Sequence, residues 1–464
     1  MPGLLDGLEL GKRALLTHQL TLQTIGHNIA NVDTPGYSRQ RVRISATMPQ
    51  LLGQGPVGTG VEVLDIRSVR DMFLGNQYRQ SNKTLGQWEY KQKTFTQIES
   101  LFGEPNDNTV SALLDGFWDA WGDLSTDPSG ESARVSIVQA ANLLTNGLHE
   151  LSSQLGQLTD SIDQELVSMT SEINRLTSDI AKLNQQIKSQ ELGDSNANDL
   201  RDVRENLVDQ LSALIDVNTI EHESGEMTVM IGAMSLVDGS QSLQLDATVF
   251  NANNSLKHDL VWKGTSISIR NLDGQLSGLI ESRDIIIPKY QKQIDQLAAG
   301  LVQQVNAVHR TGTGSDGSTN IDFFDATGTT AATIRLSIDI TGSRAKIASG
   351  ATGEDGDNTI ALALHDLRDQ RVMQSGSATI NEFYNGVVGR LGVETRESIS
   401  FAENYNLLVQ QIDNNKQAVQ GVSLDEEMTN LVKYQHAFDA AARVITVMDQ
   451  ALDTVVTGMG VVGR

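Results

Sequence analysis

The chain has 464 residues, of which 39% are hydrophobic, so it can fill the cores of about three domains. Its 58 acidic residues outnumber its 35 basic residues, and the formal net charge of -23 argues against a surface that binds nucleic acid or an anionic membrane. The chain contains no cysteine, which excludes disulfides, thiolate nucleophiles and zinc sites built from thiolates.

The N-terminal segment carries an apolar stripe at the spacing of an amphipathic helix. The stripe follows a 4,3 repeat through Leu4, Leu8, Leu15, Leu22, Ile25 and Ile29, with Gly11 and His18 at the remaining positions. Such a helix needs a partner, because an isolated helix is marginal in water. Asp6 and Glu9 interrupt the uncharged core that a cleaved secretory peptide needs, so we expect any export to use another route.

A turn and then a β region follow this stripe. Thr34-Pro35-Gly36 predicts the turn, since proline fixes φ at the first central position and glycine permits a positive φ at the next. Residues 37–66 alternate in hydrophobicity and predict an irregular β connection. The three arginines in this region would share one strand face, which we interpret as solvated, with a phosphate site as the alternative. These arginines are Arg39, Arg41 and Arg43.

The middle of the chain is mostly helical. Helical periodicity runs from Phe73 to Asn218 with breaks at 103–105 and 127–130. Its longest amphipathic run, from Leu151 to Ile187, would extend about 55 Å, which predicts an elongated molecule. No uninterrupted apolar run approaches the ~20 residues of a membrane-spanning helix, so we expect no membrane insertion.

Two β-rich insertions interrupt the helical pattern. Residues 219–270 show short alternating runs separated by glycine and asparagine, and Thr333–Ile340 predicts a strand within a polar, glycine-rich segment. Helical periodicity resumes near Ile360, with predicted interruptions at glycines. These glycines are Gly386, Gly389, Gly392 and Gly421.

The C-terminal segment carries a second apolar stripe on the same 4,3 repeat. Its apolar members are Leu424, Met428, Leu431, Phe438, Ala442, Ile445, Leu452, Val456 and Met459. Ser423 and Glu426 fit a capping box that would begin this helix near Leu424. The simplest partner for one terminal stripe is the other, and the alternative is that each is an ordinary core helix.

These patterns predict a mainly α fold with a β-rich insertion in an elongated chain of several domains. The paired terminal helices would form a coiled coil, the middle domain a helical bundle, and the third domain a small outer β structure. The predicted boundaries are 1–43 with 421–464 for the terminal pair, 44–218 with 271–312 and 357–420 for the middle domain, and 219–270 with 313–356 for the outer domain.

One cluster could carry chemistry. Asp115, Asp119 and Asp123 lie four residues apart beside Trp118 and Trp121, and a glycan-cleaving enzyme needs two carboxylates and aromatic platforms. The carboxylates share one face of a predicted helix and the tryptophans another, which is the pattern of an ordinary amphipathic helix. We therefore predict that the chain is not an enzyme and keep a secreted glycan-active enzyme as the alternative of another class.

No segment predicts a metal or cofactor site. The eight histidines include no pair at helical metal-ligand spacing, and the acidic segment 314–325 lacks the ligand register of a calcium loop. The glycines around Gly58 do not open a helix, as a dinucleotide-binding loop must.

The run from Gly26 to Gln40 resembles the N-terminal signature of bacterial flagellar rod, hook and hook-associated proteins. Its matching residues are Asn28, Ala30, Asn31, Thr34, Pro35, Gly36 and Tyr37. Asp33 stands where asparagine is more usual in this signature. The run from Gly421 to Val456 is similar to the C-terminal signature of the same proteins, and together with FWDAWGDLSTDP at 117–128 it resembles the hook-associated protein 1 family.

The resemblance implies a non-catalytic structural subunit at the junction between the flagellar hook and filament. A hook or rod protein is the alternative within structural proteins. The resemblance also implies type III export to the extracellular flagellum, self-assembly into a ring, and an export chaperone bound to the C-terminal helix. The implied neighbours are the hook protein and a second junction protein on the filament side. The apolar residues of the two stripes would form the assembly interface.

Overall fold

A computed structural model describes residues 2–52, 55–103, 109–193, 195–252, 255–269 and 272–459. The helices are α1 (Pro2–Ala30), α2 (Met72–Phe102), α3 (Val110–Thr126), α4 (Glu131–Gln190), α5 (Asn198–Leu214), α6 (Gln275–Glu281), α7 (Ile287–His309), α8 (Ile338–Gly342), α9 (Thr359–Asp366), α10 (Ile380–Gln420) and α11 (Leu424–Met459). A five-residue π-helical turn, Ser282–Ile286, joins α6 to α7. The predicted mainly α class is confirmed.

Short antiparallel sheets occupy the connections between the helices. The strands are β1 (Gln40–Ala46), β2 (Gln50–Leu52), β3 (Gly55–Val57), β4 (Val61–Ser68), β5 (Asn218–Glu221), β6 (Met227–Ile231), β7 (Met234–Asp238), β8 (Gln241–Ser242), β9 (Leu245–Ala252), β10 (Ser255–Trp262), β11 (Thr313–Gly314) and β12 (Ala348–Gly350). Strands β5 to β8 form a four-stranded sheet in chain order. The pairs β1–β4, β2–β3, β9–β10 and β11–β12 each form a two-stranded ribbon.

Helix α4 is the longest of the described helices. Its 60 residues extend about 90 Å, because the helix begins at Glu131 rather than near the start of the predicted run at Leu151. Buried leucines and isoleucines recur along its whole length and pack against the helices and sheets on both sides. The predicted elongated shape follows from this one helix.

The two β-rich segments contact different stretches of α4. In the second half of α4, Asn184 donates to the carbonyl oxygens of Met227 and Gly239 at 2.7 Å each. In the first half, His149 lies 2.7 Å from the carbonyl oxygen of Ile334. The segments share no sheet in the described part of the chain, and their grouping into one outer domain stays a prediction.

The predicted strand over 333–340 is wrong. The segment makes a single isolated bridge, between Leu336 and Phe324, and then enters α8, whose first turn is capped by the Ser337 hydroxyl accepting from the Ile340 N–H at 3.3 Å. Ile334 and Ile340 are fully buried. The alternating pattern therefore reflects burial of an irregular segment against neighbouring helices rather than pairing in a sheet.

Helix α10 runs unbroken through the three glycines that predicted interruptions within it. Gly386, Gly389 and Gly392 lie inside its 41 residues, and a Cβ at any of them would meet no atom within 4 Å. A reciprocal capping box at Thr379 and Glu382 begins the helix, and the packing of α10 along α2 holds it. The helix ends at the fourth predicted break, Gly421.

An aromatic cluster forms the core of the middle of the molecule. Phe117 packs against Trp118 and Trp121 within α3, and against Phe323 and Phe324 from the segment after α7. All five side chains are fully buried. This burial places the two tryptophans of the suspected glycan site in the core.

His309, beside this cluster, gives the fold a dependence on pH. Its Nδ1 donates to the carbonyl oxygen of Ile321 at 2.7 Å and its Nε2 accepts from the Ala348 N–H at 3.0 Å, so the ring is held neutral. Burial lowers the pKa of His309 from 6.5 to about 4. The folded state therefore binds this proton less readily than the unfolded state, and stability is lost as the pH falls from 6.5 to 4.

We expect acidification from pH 7.5 to 4.5 to lower the free energy of unfolding by about 3 kcal/mol through His309. Urea unfolding followed by tryptophan fluorescence measures it, because Trp121 contacts the His309 ring. His309→Gln should flatten the dependence by this amount, whereas the same substitution at exposed His436 should leave it unchanged. Equal slopes for the two variants would contradict the prediction.

Candidate assembly site: the terminal helix pair and the signature turn

The terminal helices α1 and α11 form an antiparallel pair. Near the start of α1, a Cβ on Gly11 would lie 2.8 Å from Cγ1 of Ile445 in the second half of α11. Near the end of α1, Asn28 Nδ2 donates to Glu427 Oε2 at 3.3 Å, in the first turn of α11. The residue numbers rise along one helix as they fall along the other, so the two ends of the chain are partners.

The contact seam follows a 4,3 repeat in both helices. Contacts join Gly7 to Met448, Gly11 to Ile445, His18 to Tyr434 and Asn28 to Glu427. The repeat through these residues continues at positions that are not exposed, namely Ala14, Thr21 and Ile25 on α1 and Leu431, Phe438, Ala441, Leu452 and Val455 on α11. The α1 side is mostly small or polar, and the glycines let the larger side chains of α11 approach its backbone. His18 lies in the middle of the seam, 6.0 Å from the ring of Tyr434.

Only part of the predicted stripe lies in this seam. The predicted residues in it are Ile25, Leu431, Phe438, Ile445 and Leu452. Leu424 keeps the seam repeat but lies about one turn beyond the Asn28–Glu427 contact and is 47% exposed. The side chains of Leu4 and Met459 lie outside the described residues.

The other predicted residues form a separate surface, here named the outer stripe. It comprises Leu8, Leu15, Leu22 and Ile29 of α1, which are half-buried, and Met428, Ala442 and Val456 of α11. Met428 is 52% and Val456 66% exposed. Each member follows a seam residue by one position in its own helix. Sequence periodicity therefore placed alternate seam positions correctly and the remaining ones one residue away.

The outer stripe lies on one side of the pair. One residue along a helix is a rotation of about 100°. Because the helices are antiparallel, that rotation brings the flank of α1 and the flank of α11 to the same side. Residues that precede the seam lie on the opposite side, where Leu10 contacts Gly60 of the β region. The pair thus carries the outer stripe on one side and contacts its own β ribbon on the other.

The three arginines form the predicted solvated face only in part, because the side chains of Arg41 and Arg43 are 58% and 47% exposed, whereas that of Arg39, just before β1, is 10% exposed. Arg39, which is buried, donates through Nη1 to Oε2 of Glu426 at 2.5 Å, and Arg41 donates to Oε1 of the same carboxylate at 3.1 Å. Arg43 pairs with Asp65 at 3.5 Å across the ribbon. The cluster therefore attaches β1 to the first turn of α11, and the phosphate alternative is not supported.

The same contact changes the predicted capping box. Ser423 Oγ accepts from the Glu426 N–H at 3.5 Å, a long bond, while both carboxylate oxygens of Glu426 bind the arginines. Asp425, Glu426 and Glu427 still place negative charge at the positive end of the helix dipole. Glu426 thus connects the two terminal segments.

The signature turn adopts the predicted conformation. The Tyr37 N–H donates to the carbonyl oxygen of Thr34 at 3.1 Å across Pro35 and Gly36, and Gly36 has a φ of 78°. A residue with a Cβ is strained at that φ. Asn31 accepts from the Thr34 hydroxyl at 3.1 Å and closes the end of α1. The turn reverses the chain so that β1 returns along α1.

Asn28 connects the signature turn to β1 and α11 through its side-chain hydrogen bonds. Its Oδ1 accepts from the Tyr37 hydroxyl at 2.8 Å and from the Gln40 N–H at 2.9 Å, and its Nδ2 donates to the Gln40 carbonyl oxygen at 2.9 Å as well as to Glu427. Asn28 is 1% exposed. Burial, with the carboxylates of Asp199 and other acidic residues, raises the pKa of Tyr37 and keeps its hydroxyl a donor.

The segment after the turn also fixes the pair to the helices of the middle of the chain. The Ser38 N–H donates to Asp202 of α5 at 3.0 Å, and Gln40 donates to Asp199 at 2.7 Å. The Arg39 N–H donates to the carbonyl oxygen of Gln420, the last residue of α10, at 2.8 Å. The acidic partners on α5 were missed at the sequence level, because nothing in their local pattern distinguishes them from a solvated helix face.

We expect Asn28→Ala to lower the free energy of unfolding of the terminal region by about 3 kcal/mol. The alanine would leave the Gln40 N–H and the Tyr37 hydroxyl without their acceptor in a buried place. Thermal unfolding and proteolytic cleavage within residues 31–39 measure the effect. Asn31→Ala is the matched control, since Asn31 bonds locally at an exposed position and should cost less than about 1 kcal/mol. Equal losses of stability in the two variants would contradict this role of Asn28.

At the suspected glycan site, the tryptophans do not lie beside the carboxylates as an aromatic platform for a sugar ring would. Arg368 pairs with Asp115 at 2.9 Å and with Asp119 at 3.3 Å on the outer face of α3, while Trp118 and Trp121 point into the core. The carboxylates and the rings therefore face opposite ways. Among the described residues, no group of three or more histidine, aspartate or glutamate side chains could hold a metal ion.

Two family models match the chain. The helical domain of flagellar hook-associated protein FlgK matches residues 95–324, and the C-terminal model of the flagellar basal body rod FlgEFG proteins matches residues 418–458. The second model covers the end of α10 and nearly all of α11.

Curated relatives extend the match to nearly the whole chain. Flagellar hook-associated protein 1 of Bacillus subtilis strain 168 is 32% identical over 501 aligned positions, covering 99% of both chains. The same protein of Escherichia coli K12 is 22% identical over 94% of this chain and 97% of its own. The solved flagellar hook junction protein FlgK of Burkholderia pseudomallei shares the fold, with a TM-score of 0.65 at 16% identity over 74% of this chain and 100% of its own. The chain belongs to the flagellar hook-associated protein 1 family.

Proposed function

We propose that the chain is a structural subunit of the bacterial flagellum that forms the junction between hook and filament and assembles through its terminal helices. The observation that carries the assembly mode is the outer stripe, whose apolar members on α11, Met428 and Val456, are 52% and 66% exposed. Family membership supports the place in the flagellum.

The outer stripe has the properties of a contact between subunits. It joins residues from both ends of the chain, so it exists only after α1 and α11 have paired. On a molecule with a net charge of -23, contacts between copies are disfavoured wherever acidic surface meets acidic surface. Outer-stripe members such as Leu15 and Met428 are uncharged, and their burial against a neighbour would be favourable.

The proposed partners are supported by family membership. Copies of the chain would associate side by side into a ring, with the hook protein on one side and a second junction protein on the filament side. Before assembly, the exposed apolar residues of α11 would be covered by an export chaperone, and the chain would reach the extracellular flagellum by type III export. In the described residues no helix is long and apolar enough to cross a membrane.

A deletion strain tests the function. Cells lacking this chain should build hooks without attached filaments and release flagellin into the medium, and the intact gene should restore attached filaments. Attached filaments in the deletion strain would contradict the proposal. A strain without hooks would instead indicate a hook or rod component.

A further inference from the structure

The β region after α1 is a projecting arm, defined here as residues 40–52 and 55–68. Strands β1 and β4 form its base against α1, and β2 and β3 continue it outward. Between the two ribbons, the Thr47 N–H donates to the carbonyl oxygen of Gly60 at 3.1 Å, and the Thr47 and Thr59 hydroxyls lie 2.7 Å apart. These contacts keep the two strands of the arm together up to its tip.

The tip of the arm is apolar and exposed. Met48 is 91%, Leu51 86% and Val57 49% exposed. Residues 44–61 contain no charged side chain and no histidine, although one residue in five of the whole chain is charged. A surface of this kind, on a chain of such high negative charge, is typical of a contact with another protein.

A matching groove lies at the base of the arm. It is lined by Leu16, Thr17 and Leu20 of α1 and by Val61 and Val63 of β4, with Arg13 and Glu62 also lining it. Its volume of about 410 Å³ is more than ten times the roughly 30 Å³ of a water molecule, so it can admit side chains. Leu16 is 53% exposed.

The arm cannot fill the groove of its own molecule. Strand β4 is one wall of the groove and is also part of the arm, so the tip points away from it. A second molecule presents the same groove without this restriction. Neither the tip nor the groove carries a net charge, so no charge repulsion opposes contact between them. Both lie on the side of α1 away from the outer stripe.

We propose that the arm tip of one copy of this chain docks in the groove between α1 and β4 of a neighbouring copy. This proposal rests on the proposed function as an assembling subunit. A contact between two different patches of the same molecule repeats from copy to copy, and it closes into a ring when the rotation allows. The outer stripe and the arm would then contact neighbours on opposite sides of the helix pair.

Photo-cross-linking in assembled flagella tests the docking. The photoreactive residue p-benzoylphenylalanine replaces Leu51 in the full chain, which is expressed in the deletion strain. Irradiation should give a product of twice the chain mass, with the cross-linked peptide in residues 13–20 or 61–63 of the second copy. The matched control carries the same residue at Ile338, which is 86% exposed on α8 and should give no such peptide.

A cross-link to a different flagellar protein, a link only within one chain, or no link would overturn the proposal. Substitution at Val57 repeats the test from the other strand of the tip, in case a bulky group at 51 prevents assembly. Filament attachment in the same cells separates the two proposals. Attached filaments without the cross-link contradict only the docking of the arm, whereas absence of the chain from purified flagella contradicts the function itself.

Discussion

Ile445→Asp in the C-terminal helix is expected to abolish filament attachment. Ile445 packs against Gly11 in the seam between α1 and α11, and a carboxylate there would be held against the α1 backbone, partly buried and without a partner. Burying an unpaired charge in such a place costs about 3 kcal/mol, so the helices would separate and the outer stripe would be lost with them. The middle of the chain should stay folded, because its core does not contact Ile445. Leu431→Asp should act in the same way.

Swimming, attached filaments and secreted protein are measured together. Normal secretion with lost swimming places the effect in assembly, and lost secretion places it first in recognition by the export chaperone. Val447→Asp is the matched control, since Val447 is 60% exposed on the same helix and off the seam. Wild-type swimming by both seam variants would show that the seam is not needed for function.

The sequence predicted the terminal pair and alternate positions of its seam, but placed the other seam positions one residue away on both helices. Two 4,3 repeats overlap along α1, one of leucines and one of small or polar residues, and they share Gly11, His18 and Ile25. Hydrophobicity favours the leucine repeat. Close approach of the two helix backbones favours the repeat of small or polar residues. Gly7 and Gly11 leave room for Met448 and Ile445, whereas larger residues at these positions would hold the helices apart. Periodicity alone cannot choose between two such repeats.

The sequence predicted the local turn geometry better than the contacts between residues that are far apart along the chain. The turn at Pro35 and Gly36 follows from the restricted φ of each residue, and the structure has it. The partners of Arg39 lie nearly 400 residues away at Glu426, and no local pattern distinguishes that pair from a solvated arginine and a capping glutamate. Asn28 was identified only through the resemblance, since its four hydrogen bonds depend on how the turn and α11 come together.

For the suspected glycan site, the amphipathic pattern of α3 was enough to predict which residues share a helix face. Spacing alone placed the carboxylates and tryptophans of α3 on different faces, and the structure buries Trp118 and Trp121 completely. The positions of Phe323 and Phe324, which complete that core, could not be predicted, because they follow α7 in an irregular segment nearly 200 residues further along the chain.

The double substitution Leu15→Asp with Leu22→Asp should abolish assembly while leaving the helix pair intact. Both residues lie on the outer stripe, beside the seam, so their carboxylates can reach solvent in the single molecule. In the assembled flagellum the same carboxylates would be enclosed against a neighbouring copy, at a cost of several kcal/mol, on the order of 3. The expected result is normal secretion and an unchanged thermal midpoint, with filaments no longer attached.

The matched control is Gln23→Asp with Val447→Asp, which adds as many charges to the helix pair at exposed positions away from both the seam and the outer stripe. These variants should retain filaments. Loss of attachment by the control would mean that added charge alone is responsible. If the Leu15 and Leu22 variant kept its filaments, the outer stripe would not be a contact between subunits. Together with Ile445→Asp, the pair of variants separates a seam that holds one molecule together from a surface that holds copies to each other.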